Sequence, residues 1–212
     1  MGRGSSGAGG NLGRGDGGIN PANIHNERDL LSDSKINKAD ANDVLNTARD
    51  IHDEYGVDVG QFKLAEVVGE DSNTLAYSDG TDIGFNSKYF DGVNMEGAYK
   101  ACVDSGFHPS NGDKTAVQAV ASHEYGHVLT EQAAKKLGVA DMHDAAEVIV
   151  NRATASTKHK GSKSLAKKIS GYAGHSNAEC VAEAIADVYC NGKKASAESK
   201  AIVKELKSIL NK

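Results

Sequence analysis

The sequence predicts an α+β fold in which helices pack on one face of a small, mostly antiparallel sheet. Three observations support this. Apolar residues recur at helical spacing between residues 37 and 56. Short strand-like runs then follow, two of them flanking an Asp-Gly pair. From about residue 96 onward the chain consists of helix-like segments, several of which end at a glycine.

Glycine is concentrated at the start of the chain and separates a tail from the domain. Residues 1–20 are mostly Gly, Ser, Arg and Asn and offer almost no apolar side chains to bury. This composition predicts a disordered Gly-rich tail over 1–20 and a linker over 21–36. The folded domain is expected to span residues 37–212.

The first part of the domain is predicted to hold one helix and three strands. The helix is expected to end at Gly56, because glycine adopts the left-handed conformation that closes many helices. A strand is expected over residues 62–67. Residues 75–78 and 81–85 are expected to pair as a hairpin through Asp79 and Gly80, because both turn residues tolerate positive φ. The later helices are predicted over residues 96–105, 114–137, 141–156, 164–170, 177–191 and 197–210.

Composition excludes several partner classes. The formal net charge is −5, which argues against a nucleic-acid partner and against an anionic membrane surface. No stretch approaches the roughly 20 apolar residues of a membrane span, and the first residues lack the apolar core of a signal peptide. Three cysteines do not suggest a disulfide framework. We therefore expect a cytoplasmic protein, with export by a non-classical route as the alternative. Oligomeric state is not predicted.

The most informative motif is HExxH, formed by His123, Glu124 and His127 inside a predicted helix. Residues i and i+4 share one face of a helix, so both imidazoles can reach one zinc ion. Glu124 projects beside such an ion and can deprotonate a zinc-bound water. The motif therefore predicts a zinc site with Glu124 as general base.

A catalytic zinc needs a third protein ligand, and the sequence contains three acidic candidates. Glu179, Glu183 and Asp187 lie four residues apart on one face of the predicted helix 177–191. Stacked carboxylates repel one another on an ordinary surface, and a nearby metal would relieve that repulsion. The spacing alone leaves the choice among the three open.

The combined motifs resemble those of a known protease family. They are His123-Glu124-Tyr125-Gly126-His127, the pair Tyr172-Ala173, and a Glu seven residues after that Tyr within Glu179–Ala184. This arrangement is similar to the catalytic domain of anthrax lethal factor and its relatives. Those relatives include the Pro-Pro endopeptidases and HExGH domains of phage and mobile-element proteins. The resemblance covers about residues 37–192, although the two active-site segments carry most of it.

The resemblance implies a zincin-like metallopeptidase fold and a role for each motif residue. His123, His127 and Glu179 would bind zinc, and Glu124 would be the general base. Tyr172 would stabilise the oxyanion, and Glu183 would hydrogen-bond a zinc ligand.

A thermolysin-like pattern is the rival assignment. It would make Glu183 the ligand and Asp187 its partner. We favour Glu179, because it alone has the tyrosine at the family's spacing. The chain departs from its relatives at Cys180 and Val181, where they tend to carry aromatic residues.

These observations predict a zinc-dependent endopeptidase that hydrolyses proteins or peptides, either within its own cell or as a toxin-like effector. The alternative is a zinc-stabilised structural or interaction module of a phage or mobile-element protein, without catalysis. In the enzyme, residues 82–86 are the candidate edge strand for pairing with an extended substrate, and an ordinary structural strand is the equal alternative. His108 lies in a loop shortly before the HExxH helix; we expect it at the surface, with a position lining the cleft as the alternative.

Overall fold

The computed structural model describes residues 4–7, 19–33, 35–90 and 93–211. It has α+β architecture, as the sequence predicted, with seven helices and one small mixed sheet in the described residues. The strands are β1 (Gly4–Gly7), β2 (Ile24–Asp29), β3 (Phe62–Val67), β4 (Thr74–Ser78) and β5 (Ile83–Asn86). The helices are α1 (Lys38–Tyr55), α2 (Val93–Asp104), α3 (Ala116–Leu137), α4 (Met142–Ser156), α5 (Ser162–Ala166), α6 (Asn177–Asn191) and α7 (Ala197–Leu210).

The sheet has the strand order β1-β4-β5-β3-β2. The predicted hairpin forms, and β4 and β5 are antiparallel, with Ala76 opposite Phe85. β3 and β5 are parallel, whereas β2 pairs with β3 and β1 with β4 in antiparallel fashion. The sheet is therefore mostly antiparallel around one parallel pair. One of its faces packs against the helices, and Ala65, Val67 and Tyr77 bury a small cluster with Ile19 on the other.

The N-terminal region differs from the prediction of a tail and a linker. Gly4–Gly7 forms strand β1, and Ile24–Asp29 forms strand β2. Leu30, which follows β2, is fully buried in the main core. Both strands lie at sheet edges, where backbone pairing needs no alternating apolar side chains, so the sequence carried no strand pattern there. Residues 1–3 and 8–18 of the predicted tail lie outside the described residues.

Local signals determine the helix ends. Gly56 and Gly138 adopt left-handed conformations after α1 and α3, and Asp141 caps the N-terminus of α4 through its side chain. α6 and α7 have the predicted bounds. α5 begins two residues earlier than predicted and ends at Ala166.

Helix α3 lies at the centre of the domain and packs closely against α6. A Cβ built on Gly126 of α3 would lie 2.5 Å from the Cα of Ala182 on α6. No side chain fits in that space, so glycine allows the two helix backbones to approach each other. This approach brings the face of α6 that carries Glu179 and Glu183 against the HExxH motif of α3.

Among the described residues, none of the helices combines the length and the apolar character required to span a lipid bilayer.

Candidate metal centre

Helix α3 places both histidines of the motif on its α6-facing side. Thr115 and Gln118 form a reciprocal capping box that fixes the start of the helix. His123 and His127 lie one turn apart, with ring centroids 5.2 Å from each other. Both are buried, as is Glu124 between them. The motif thus faces the protein interior rather than an exposed helix surface.

Helix α6 supplies the third side chain. Ser176 caps this helix, its hydroxyl accepting a hydrogen bond from the backbone N–H of Glu179 at 3.1 Å. Oε2 of Glu179 lies 3.1 Å from Nε2 of His123 and 3.6 Å from Nε2 of His127. His123, His127 and Glu179 each offer a ligand atom, and these atoms all lie within 4.8 Å of one another.

The cluster has the properties of a metal site. Nε2 of both histidines and Oε2 of Glu179 are buried, and none makes a hydrogen bond of acceptable geometry with the described residues. Such atoms are costly to bury unless something else coordinates them. Two imidazoles and one carboxylate are ligands that transition metals accept. This His-His-Glu cluster can therefore hold a metal ion.

Glu183 occupies a different position and contacts the far side of His123. Its Oε1 lies 2.8 Å from Nδ1 of His123 and 2.9 Å from Nδ1 of His108, and its Oε2 accepts a hydrogen bond of 2.6 Å from Ser170. Because an ionised carboxylate only accepts hydrogen bonds, Nδ1 of His123 carries the proton. Nε2 then presents its lone pair toward the cluster. Glu183 thus orients His123.

The two carboxylates of α6 are held in their ionised form. Burial alone would raise the pKa of Glu179, but His127 and His123 outweigh it and lower that pKa to about 2. The pKa of Glu183 is likewise raised by burial but lowered further, to about 2, by His108 and His123. Burial opposes the charged form of His123, yet Glu179 and Glu183 raise its pKa well above the usual value. In the neutral ring Nε2 of His123 faces the cluster with its lone pair, and in the charged ring it carries the proton with which a metal would compete.

Tyr172 lies beside the cluster in the loop before α6. Its backbone N–H donates to the carbonyl of Phe107 at 2.9 Å, which ties it to the segment that carries His108. The Tyr172 ring is buried and stacks on His123 with centroids 5.8 Å apart. The structure thus brings Tyr172 next to the histidine that it was predicted to accompany.

Two neighbours of the cluster were not predicted correctly from the sequence. The expectation that His108 lies in a surface loop is wrong, because it is 3% exposed and stacks on Tyr99 with centroids 5.4 Å apart. Ser170 was not singled out at all, although its hydroxyl bonds Glu183. Neither residue has ligand spacing to the HExxH motif. Their convergence follows from the backbone pairing of Gly171 and Tyr172 with Gly106 and Phe107.

Asp187, the partner of Glu183 in the rival assignment, forms hydrogen bonds near the junction of α6 and α7. Its Oδ2 accepts a hydrogen bond from the backbone N–H of Ser196, and its Oδ1 accepts one from Asn191, both at 3.0 Å. These bonds tie the end of α6 to the start of α7. Cys180 packs in the core, where burial raises the pKa of its thiol to about 12.

The prediction that residues 82–86 form a substrate-binding edge is wrong. Strand β5, which holds Ile83–Asn86, lies between β4 and β3 and pairs with both. A strand with both edges paired has no free backbone groups to offer a peptide. The Asp-Gly turn identified a hairpin correctly, but a turn does not reveal which of its strands lies outside.

No family model matches the chain, and comparison with curated proteins and with solved structures gives no significant match.

Proposed function

We propose that this protein is a zinc-dependent endopeptidase with a zincin-like fold. The observation that carries the proposal is the buried set of His123, His127 and Glu179, with its three unpaired ligand atoms. The two histidines lie on α3, which also carries Glu124, and Glu179 comes from α6. Nitrogen and carboxylate ligands suit zinc, and three protein ligands leave a position for water or substrate, as in catalytic sites.

The chemistry assigned to this chain's residues is peptide hydrolysis. A zinc ion held there would acidify a water molecule and polarise a carbonyl group. Glu124 would take a proton from the attacking water and return it to the leaving amine as the C–N bond breaks. Tyr172 would donate a hydrogen bond to the carbonyl oxygen as negative charge develops on it. Glu183 would keep His123 in the tautomer that faces the metal.

A zinc-stabilised module without catalysis is the second candidate. The buried His-His-Glu cluster supports this module as well as it supports an enzyme, because a structural zinc ion also stabilises a fold. Glu124 distinguishes the two, because a structural zinc needs no general base. We therefore favour the enzyme.

Peptide hydrolysis by matched variants tests the proposal. Zinc-loaded wild type, Glu124→Ala and Tyr172→Phe are incubated with a mixed peptide library, and new amino termini are identified by mass spectrometry. We expect about 10²–10⁴-fold slower cleavage for Glu124→Ala and about 10²-fold slower cleavage for Tyr172→Phe. Both variants should keep their zinc, measured by elemental analysis. Equal cleavage by wild type and Glu124→Ala would contradict the mechanism, and a zinc-containing wild type without any cleavage would favour the structural module.

A further inference from the structure

Strand β1 occupies the outer edge of β4. Gly4 lies opposite Ser78, Ser5 opposite Tyr77 and Ser6 opposite Ala76, in antiparallel register. The segment Gly-Ser-Ser-Gly has no apolar side chain, so its backbone groups are what β4 can recognise. Since the other edge of β4 pairs with β5, β4 would be the edge of the sheet if β1 were displaced.

This edge lies next to the metal centre. β4 packs on α3, and β1 also approaches α3. Gly80, in the turn after β4, lies against Glu131, such that a Cβ on Gly80 would be 3.1 Å from the Glu131 Cβ. Glu131 follows His127 on α3 by one helical turn. β4 and β1 therefore both lie against α3, the helix that carries the two histidines of the cluster.

The metal centre is closed in this arrangement. His123, Glu124 and His127 are 2%, 0% and 0% exposed. A peptide carbonyl could not reach them without displacing something that covers them. β1 is suited to such displacement, because backbone pairing along a single edge holds its four residues and no apolar side chain of theirs adds to the core.

We propose that the β4 edge is a docking site for extended peptides and that Gly4–Gly7 of this chain is its resident occupant. The N-terminal segment competes with incoming peptides for the edge and shields the metal centre until it leaves. Backbone pairing requires an extended segment, and the sequence of the resident strand is Gly-Ser-Ser-Gly, so we expect extended segments with small residues to compete for the edge. The role as a shield against substrate rests on the proposed peptidase function, whereas occupancy of the edge does not.

Proline substitutions at Ser5 and Ser6 test this in the full-length, zinc-loaded protein. Successive residues of a strand turn their N–H groups to opposite sides, so one of Ser5→Pro and Ser6→Pro removes a bond to β4. The other proline faces away and is the matched control. Hydrogen exchange of residues 74–78 measures edge occupancy, and transfer of zinc to a chromogenic chelator measures access to the metal.

In the variant whose proline removes a hydrogen bond to β4, we expect the amide hydrogens of β4 to exchange at least 5-fold faster than in the wild type. We expect zinc release from that variant to be at least 5-fold faster as well. The other variant should resemble the wild type in both measurements. A synthetic peptide with the sequence of residues 1–10 should restore slow exchange and slow zinc release. The same peptide with proline in place of both serines should not. If neither variant changes exchange or zinc release, the proposal is overturned. Faster exchange and zinc release without cleavage of any peptide would support the docking edge and count against the peptidase alone.

Discussion

The close contact of α3 with α6 leads to a prediction for Gly126→Ala. The added methyl group would lie 2.5 Å from the Cα of Ala182, about 1 Å inside an ordinary carbon–carbon contact. The obstacle is backbone, so the two helices must separate, at a cost of about 1–3 kcal/mol. Alanine recovers about 1 kcal/mol of helix propensity. We therefore expect a net loss of up to about 2 kcal/mol in the free energy of unfolding.

The same substitution should weaken metal binding. Glu179 precedes Ala182 by about one turn of α6, so a shift of about 1 Å at the contact carries Glu179 away from His123. Metal–ligand distances tolerate only about 0.2 Å. We expect zinc affinity, measured by competition with a chromogenic chelator, to fall at least about 10-fold.

Gly97→Ala is the matched control. Gly97 is an exposed glycine within α2, and a Cβ built there meets nothing within 4 Å. This variant should gain about 0.5–1 kcal/mol in urea unfolding and keep its zinc affinity. A Gly126→Ala protein that is as stable as the wild type and binds zinc equally well would refute the reasoning.

Three further predictions concern the supports of the metal centre. Ser170→Ala removes the 2.6 Å hydrogen bond to the buried Glu183 carboxylate. It should cost about 1–3 kcal/mol in urea unfolding, whereas Ser208→Ala on exposed α7 surface should be nearly neutral. Glu179→Gln should abolish stoichiometric zinc by elemental analysis, while Glu183→Gln should retain zinc with about 10–100-fold weaker affinity; the reverse order would make Glu183 the ligand. Removal of metal by a chelator should lower the thermal midpoint, because buried ligand atoms lose their partner; an unchanged midpoint would argue against the site.

Elements specified by local chemistry were predictable from sequence. The ends of α1 and α3 coincide with glycines in left-handed conformations, and α6 begins after the capping Ser176. The HExxH motif also places His123 and His127 together through helix geometry alone, whatever the rest of the chain does.

Features that depend on contacts between distant parts of the chain were not predictable from the sequence. β1 and β2 are edge strands that consist mostly of polar or small residues. Their sequences therefore lack the alternation of apolar and polar residues that predicts a strand. The parallel pairing of β3 with β5 encloses β5, and no local signal distinguishes an enclosed strand from an exposed one. His108 reaches Glu183 across 75 residues of sequence, through loop contacts that only the assembled fold creates.

The charges buried around the cluster give a reason to expect a divalent cation rather than protonation alone. Glu124, Glu179 and Glu183 are each at most 1% exposed, and three buried carboxylates without compensation would strongly destabilise the fold. Glu183 is compensated by hydrogen bonds from His108, His123 and Ser170. Oε2 of Glu179 faces the Nε2 atoms of two imidazoles, at 3.1 Å from His123 and 3.6 Å from His127. A divalent cation in that position would offset buried negative charge and satisfy all three ligand atoms, so the burial of these carboxylates is consistent with the metal site that we propose.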